Sequence, residues 1–235
     1  MNIGLFGGSF DPIHRGHTAV ARAAADRLQL RQVLFVTANV PPHKQTRAVT
    51  PFWHRHAMVA LATQNDKRFL PSLLEAPESG ARGPGQRDPK PSLQPNYSLD
   101  TVRRLKQSLR KADRVFFLIG IDAFLDIAKW HEAKTLLGEC DFVIVSRPGY
   151  SLSDVAESLP EGLRPSAEVM RPFRKHPAAG DLVLPGLALH LLEDVHQNVS
   201  ATTVRAAAAA GKSLARWLDP CVAEYIKKVG LYRGK

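Results

Sequence analysis

Gly7-Gly8-Ser9-Phe10-Asp11-Pro12-Ile13-His14-Arg15-Gly16-His17 decides how this 235-residue chain is read. The stretch follows the apolar run Asn2–Phe6, which reads as a buried strand. It leads into His14–Leu28, where Val20, Ala23, Ala24 and Leu28 recur at helical spacing. A glycine turn between a strand and a helix start leaves backbone N–H groups unpaired beside the positive end of the helix, which makes an anion site. Gly7, Gly8, Ser9 and Phe10 are therefore candidates to cradle a phosphate. His14 and His17, three residues apart, share one face of the first turn and can donate hydrogen bonds to phosphoryl oxygens as charge builds on them. Gly16 keeps a side chain out of the path of a large ligand. Two histidines at this spacing also suit metal ligation or a plain surface, and the glycines ahead of them favour the phosphate. Asp11 reads as a shaper of the turn and not as a metal ligand.

Outward from this loop, short apolar runs alternate with amphipathic stretches. Strands are predicted at Gln32–Thr37, Arg114–Ile119 and Asp141–Val145, with a weaker one near Leu187–Leu192. Helices are predicted at Arg55–Thr63, Leu99–Leu109, Ala201–Ala210 (with Gly211 as its stop) and Pro220–Val229. This alternation predicts a three-layer α/β fold: a mostly parallel sheet of Rossmann-like order, helices on both faces, and ligands at the carboxyl ends of the strands. One domain is expected over residues 1–235. Pro77–Pro95, with five prolines and three glycines, is expected to be a mobile surface loop, and Tyr150–Gly180 a second Pro/Gly-rich connection.

Composition narrows the function. Hydrophobic residues make up 44% of the chain, enough for a core without disulfides. Cys140 and Cys221 have no ligand spacing, so neither a zinc site nor a disulfide framework is indicated, and a cytoplasmic protein is expected. No apolar stretch nears 18 residues and no secretory leader is evident, so no membrane span is expected. The net charge of +10 points to anionic partners. Arg103-Arg104 through Lys111 could form a basic helix face, but aromatic residues are not interleaved with it, and no nucleic-acid partner is expected.

Further segments bear on the site. Val199-Ser200-Ala201-Thr202-Thr203-Val204-Arg205 opens a helix after an apolar strand: Ser200 can cap it, its first turn can face a phosphate, and Arg205 adds a fixed charge. An ordinary capped helix would read the same way. Asn39-Val40-Pro41-Pro42-His43-Lys44 presents two basic side chains on a stiffened loop after the second strand. Asn96-Tyr97-Ser98-Leu99-Asp100-Thr101-Val102, Ile119-Gly120-Ile121-Asp122, Trp130-His131-Glu132 and Ser146-Arg147-Pro148-Gly149-Tyr150 complete the set.

The glycine-histidine stretch is neither the GxGxxG dinucleotide fingerprint nor a P-loop. It closely resembles the signature of the HxGH nucleotidyltransferases, and Ser200–Arg205 resembles their second signature. The Pro-Pro-His-Lys loop and the later segments, in order along nearly the whole chain, are similar to those of bacterial nicotinate-nucleotide adenylyltransferases. The resemblance implies transfer of the adenylyl group of ATP to nicotinate mononucleotide, with Mg²⁺ accompanying ATP. It also implies phosphate contacts from His43, Lys44, Ser200, Thr202 and Arg205, nucleotide contacts from Gly120 and Asp122, and a pyridine site of Tyr97, Ser98, Trp130, His131 and Arg147. Nicotinamide mononucleotide or another phosphorylated acceptor, or nucleotide binding without turnover, are the competing readings. The oligomeric state is not legible in the sequence.

Overall fold

The computed structural model describes residues 1–40, 49–77, 96–146, 149–175 (backbone only from 172), 180–193, 195 and 199–233. Among these, strands β1 (Asn2–Gly8), β2 (Gln32–Thr37), β3 (Phe69–Ser72), β4 (Arg114–Gly120), β5 (Asp141–Val145), β6 (Gly180–Leu184) and β7 (Leu187–Leu192) form one sheet. Its order is β3-β2-β1-β4-β5-β7-β6. Every pairing is parallel except that of β6 with β7.

β4 reads Arg-Val-Phe-Phe-Leu-Ile-Gly and is buried from Val115 to Ile119, as a central parallel strand covered on both faces must be. Its side chains alternate between two cores. Val115, Phe117 and Ile119 join Ile3 and Leu5 of β1 and Phe142 and Ile144 of β5 on one face. That face is covered by α3 (Ser98–Gln107), α5 (Ala133–Glu139), α6 (Leu152–Glu157) and α7 (Ala167–Lys175), numbered in chain order after α1 (Arg15–Leu28), α2 (Phe52–Thr63) and the short α4 (Ile121–Phe124). Phe116 and Leu118 join Phe6, Val33, Phe35 and Val143 on the other face, beneath α1, α2, α8 (Ala201–Ala209) and α9 (Pro220–Val229). The last helix shows how locally its bounds are set: Asp219 accepts the N–H of Cys221, Pro220 opens the first turn, and Gly230 closes it in the left-handed region.

From β1 the chain winds outward through β2 to β3, then returns to place β4 on the other side of β1. The carboxyl ends of β1 and β4 therefore diverge into a crevice, the place where open parallel sheets bind ligands.

Four expectations are corrected. β3 and β6 were not foreseen: β3 is a four-residue edge strand containing Pro71, and β6 is a half-exposed edge strand turned back through Pro185-Gly186. Tyr150–Gly180 holds α6 and α7 and is not merely a connection. α2 begins at Phe52, three residues before Arg55, because Pro51 supplies the extended residue that starts it. His14 caps α1 and lies outside it, with an extended backbone. Apart from Pro77, the 77–95 loop lies outside the described residues.

Candidate active site

β1 leaves the sheet at Ser9, and the turn that follows is tied down from several sides. Phe10 adopts φ 45°. Its ring is only 2% exposed and meets Phe6 edge-on at 5.7 Å and His17 at 5.1 Å. Phe10 anchors the turn with its ring in the core, under His17, which leaves its expected part in phosphate binding to the backbone. The Asp11 carboxylate accepts a hydrogen bond from the Tyr232 hydroxyl at 2.7 Å and from the Thr50 N–H at 3.4 Å, so it shapes the turn as expected. Burial, then that carboxylate, raise the Tyr232 hydroxyl pKa above its ordinary value.

The chief support of the turn was not foreseen. Arg55 of α2, 2% exposed, donates to the carbonyls of Thr50 at 2.6 Å, Ser9 at 2.8 Å and Ala38 at 2.7 Å. One buried guanidinium thus fixes the loops after β1 and β2 together. Its fork of donors suits three converging carbonyls, and no local pattern in the sequence signals it.

His14 and His17 stack with ring centroids 3.7 Å apart and planes 22° from parallel. Nδ1 of His17 accepts the backbone N–H of His14 at 3.1 Å, the role a Glu or Gln fills in a capping box. In the neutral ring this leaves the proton on Nε2, a donor of fixed direction. Burial lowers the pKa of His14 to about 4, so it is neutral at physiological pH. Gly16 spares the approach of His14 itself, a more local reason than clearance for a ligand.

α8 brings in the second signature. The Ser200 hydroxyl accepts the Thr203 N–H at 3.1 Å and is 2.8 Å from the Thr203 hydroxyl. Arg205 donates to the Thr202 hydroxyl at 3.1 Å and, across 194 residues of sequence, to the Asp11 carbonyl at 2.6 Å. The start of α8 and the glycine turn are therefore one structural unit.

Beside that unit lies a cleft of about 410 Å³ between β1 and β4. Gly7, Gly8, Ser9 and Gly120 line one part of it, and Tyr97, Ser98, Trp130 and His131 another. Tyr97 and His131 stack at 4.1 Å and 26°, while half-buried Trp130 meets Phe117 edge-on at 6.4 Å. Asn96 clamps the cleft to the end of the β2 loop. Its side-chain oxygen accepts the Val40 N–H at 3.0 Å, and its own N–H reaches the Val40 carbonyl at 3.3 Å. Glu75 also lines the cleft and is 8% exposed, and the Thr101 hydroxyl donates to it at 2.6 Å. Burial pushes its carboxyl up to about 7. Glu75 stands two residues ahead of the Pro77–Pro95 run, in a stretch that gave no sign of it.

Asp122 lies apart from this cleft, exposed on the first turn of α4. His43, Lys44 and Arg147 fall outside the described residues. Among the described residues no group of three His, Cys, Asp or Glu side chains is placed to hold a metal ion, and no helix is long and apolar enough to cross a membrane. On the basic helix α3, Arg103 and Lys106 pair with Glu139 at 3.5 and 2.6 Å.

A family model described as cytidylyltransferase-like matches residues 5–207. Among similar proteins are three named "probable nicotinate-nucleotide adenylyltransferase". One from Geobacter metallireducens is 34% identical over 99% of this chain and 98% of its own length. One from Desulfotalea psychrophila is 36% identical over 98% and 99%, and one from Thermus thermophilus is 35% identical over 99% and 100%. In solved structures, the Plasmodium falciparum nicotinic acid mononucleotide adenylyltransferase complexed with NaAD superposes with a TM-score of 0.67, covering 98% of this chain and 97% of that one at 19% identity. That likeness extends to the fold.

Proposed function

The chain belongs to the cytidylyltransferase-like family, and we infer that within it the chain works as a nicotinate-nucleotide adenylyltransferase, joining ATP to nicotinate mononucleotide to give deamido-NAD and pyrophosphate. The observation that carries this reading is a single cleft that runs from the glycine turn, where phosphates belong, to the aromatic group of Tyr97, Trp130 and His131, where a flat ring belongs. An indole face binds an electron-poor ring well, adding about 0.5–1.5 kcal/mol beyond burial.

The reaction needs no protein nucleophile. A phosphate oxygen of the mononucleotide forms a bond to the α-phosphorus of ATP in line with the bond to the β-bridging oxygen, which breaks as pyrophosphate leaves. Gly7, Gly8 and Ser9 offer backbone donors beside that phosphorus. His17 presents Nε2–H to an α-phosphoryl oxygen, and neutral His14, stacked on it, holds the ring in place and offers a second donor. Ser200, Thr202 and Arg205 at the start of α8, with His43 and Lys44, meet the departing pyrophosphate. Gly120 and Asp122 take the nucleoside, while Tyr97, Ser98 and Arg147 hold the pyridine carboxylate.

Mg²⁺ comes with ATP, bound to its phosphates, and neutralises their charge there. This assignment fits the side chains present, since the Asp11 carboxylate is already engaged by Tyr232 and Thr50. The setting is the cytoplasm, in keeping with two unpaired cysteines.

The test is pyrophosphate release from Mg-ATP with nicotinate mononucleotide, nicotinamide mononucleotide and phosphopantetheine offered in parallel. Strong preference for the first is expected. Release with another acceptor alone overturns the assignment of the pyridine site, and release with none overturns the activity.

A further inference from the structure

Of the groups around the cleft, Glu75 has no part in the mechanism above, yet it is a carboxyl set into the wall of a site assigned to a carboxylate-bearing ring. It is 8% exposed, and Phe6, Phe117, Ile119 and Trp130 are among the residues that line the same cleft. A charge there is weakly screened, so a second negative charge nearby is felt strongly.

Glu75 is also tied to the element that assigns the ring its place. Its Oε1 accepts the Thr101 hydroxyl at 2.6 Å, and Thr101 lies in the first turn of α3, the helix opened by Tyr97 and Ser98. Tyr97 gives that helix no side-chain cap, so its first N–H groups are left for other acceptors. An ionised Glu75, held on the side chain of Thr101 in that first turn, sets a second negative charge near a ligand carboxylate at the helix start, whereas a neutral Glu75 does not. The cations that face Glu75 are Arg104 from α3 and Arg55 from α2, and both favour its ionised form. Each is committed elsewhere, Arg104 to the Leu74 carbonyl at 3.0 Å and Arg55 to its three carbonyls. Tyr97 and His131 are the other titratable side chains along the cleft.

We propose that Glu75 sets the choice between acid and amide in this cleft: as a neutral acid it admits a pyridine carboxylate, and as a carboxylate it turns the cleft toward the uncharged amide. The proposal rests on the reading of the cleft as the pyridine site. Burial, which holds the carboxyl near neutrality, puts the change inside the physiological range. Binding the acid then favours the protonated form, so uptake of a proton accompanies it above neutrality.

The experiment measures kcat/KM for nicotinate and nicotinamide mononucleotides from pH 6 to 8.5, in the wild-type protein and in Glu75→Gln, whose side-chain oxygen can still accept from Thr101. Both substrates carry the same phosphate, so the acid-to-amide ratio cancels its titration. The ratio is expected to fall roughly tenfold across that range in wild type and to stay level in Glu75→Gln. A level ratio in wild type overturns the proposal while leaving adenylyl transfer intact, and an equal fall in both proteins assigns the titration to His131 or another group. Absence of transfer to either acceptor overturns the underlying reading instead. Should Glu75→Gln not fold, calorimetric binding of the two mononucleotides to wild type at pH 7.5, in buffers of different ionisation enthalpy, still decides the matter. More proton uptake with the acid than with the amide is expected, and equal uptake overturns the proposal.

Discussion

A Cβ placed on Gly16 would stand 3.0 Å from Nδ1 and 3.1 Å from Cε1 of His14, and 3.1 Å from a methyl of Val199. Gly16 is the second residue of α1, so its missing side chain lets the capping histidine fold back over the helix and stack on His17. Gly16→Ala requires that ring and the Val199 methyl to give by a few tenths of an ångström, and since misplacement by about 1 Å in a preorganised site costs about 10²-fold in rate, a smaller loss of roughly several-fold is expected. The alanine also gains roughly 1 kcal/mol of helix propensity, which offsets part of the crowding. Turnover is therefore expected to fall far more than the melting temperature. Paired steady-state kinetics and thermal unfolding check this, and a drop in stability with kcat unchanged would show that the position of His14 is structural alone.

His17 is held by its own helix: Nδ1 is engaged by the His14 N–H, which orients the opposite nitrogen. Removal of one preorganised donor costs about 10²–10³ in turnover, and His17→Ala is expected to fall in that range with KM for ATP changed much less. His17→Asn tests the donor directly, because an amide can both accept from the cap and donate beyond it. Partial recovery is expected there. Wild-type turnover in His17→Ala would remove His17 from the chemistry.

How much of this was legible in the sequence depends on the range over which each feature is encoded. β4 announces itself because a strand covered on both faces must be apolar throughout, and Val115–Ile119 is. The Ser200 cap is legible because a helix start is built by neighbouring residues, whereas Gly7 and Gly8, read as part of the turn, are the last two residues of β1, opposite Val36 and Thr37. β3, with Pro71 and one buried residue, carries too little apolar signal to be seen. β6 is half exposed and depends on β7 for its pairing. Arg55 and Glu75 were missed for a different reason. Arg55 meets Ser9 46 residues away and Glu75 meets Thr101 26 residues away, so their roles exist only after the sheet has brought those loops together.

Arg55 makes a prediction about stability. Its three acceptors are backbone carbonyls, and a shorter apolar side chain would leave them buried without donors. Arg55→Met is expected to destabilise the protein by about 3 kcal/mol or more, since each buried carbonyl left without a donor costs roughly 1–3 kcal/mol. Lysine cannot replace the fork, so Arg55→Lys is expected to recover only part of that. Denaturant unfolding midpoints provide the check, and a change below about 1 kcal/mol in Arg55→Met would show that water reaches these carbonyls.

Glu75 makes the last prediction, through the pH dependence of folding. In the unfolded chain its carboxyl titrates near the ordinary value of 4.5, and in the folded protein near 7. Between those values the native state binds the proton and the unfolded state does not, so stability falls as pH rises. The contribution is fully present below about 4.5 and gone above about 7, a total of roughly 3 kcal/mol for a shift of this size. Glutamine at position 75 has no such titration. The difference in stability between Glu75→Gln and wild type should therefore move in favour of the variant as pH rises from 4.5 to 8, whatever other groups titrate in both. His14 pulls wild-type stability the opposite way: its depressed pKa means loss of stability as pH falls from 6.5 toward 4. That term is common to both proteins and cancels in the difference. Thermal unfolding across the range decides it, and a difference that does not change with pH would mean that folding leaves the Glu75 carboxyl at its ordinary pKa.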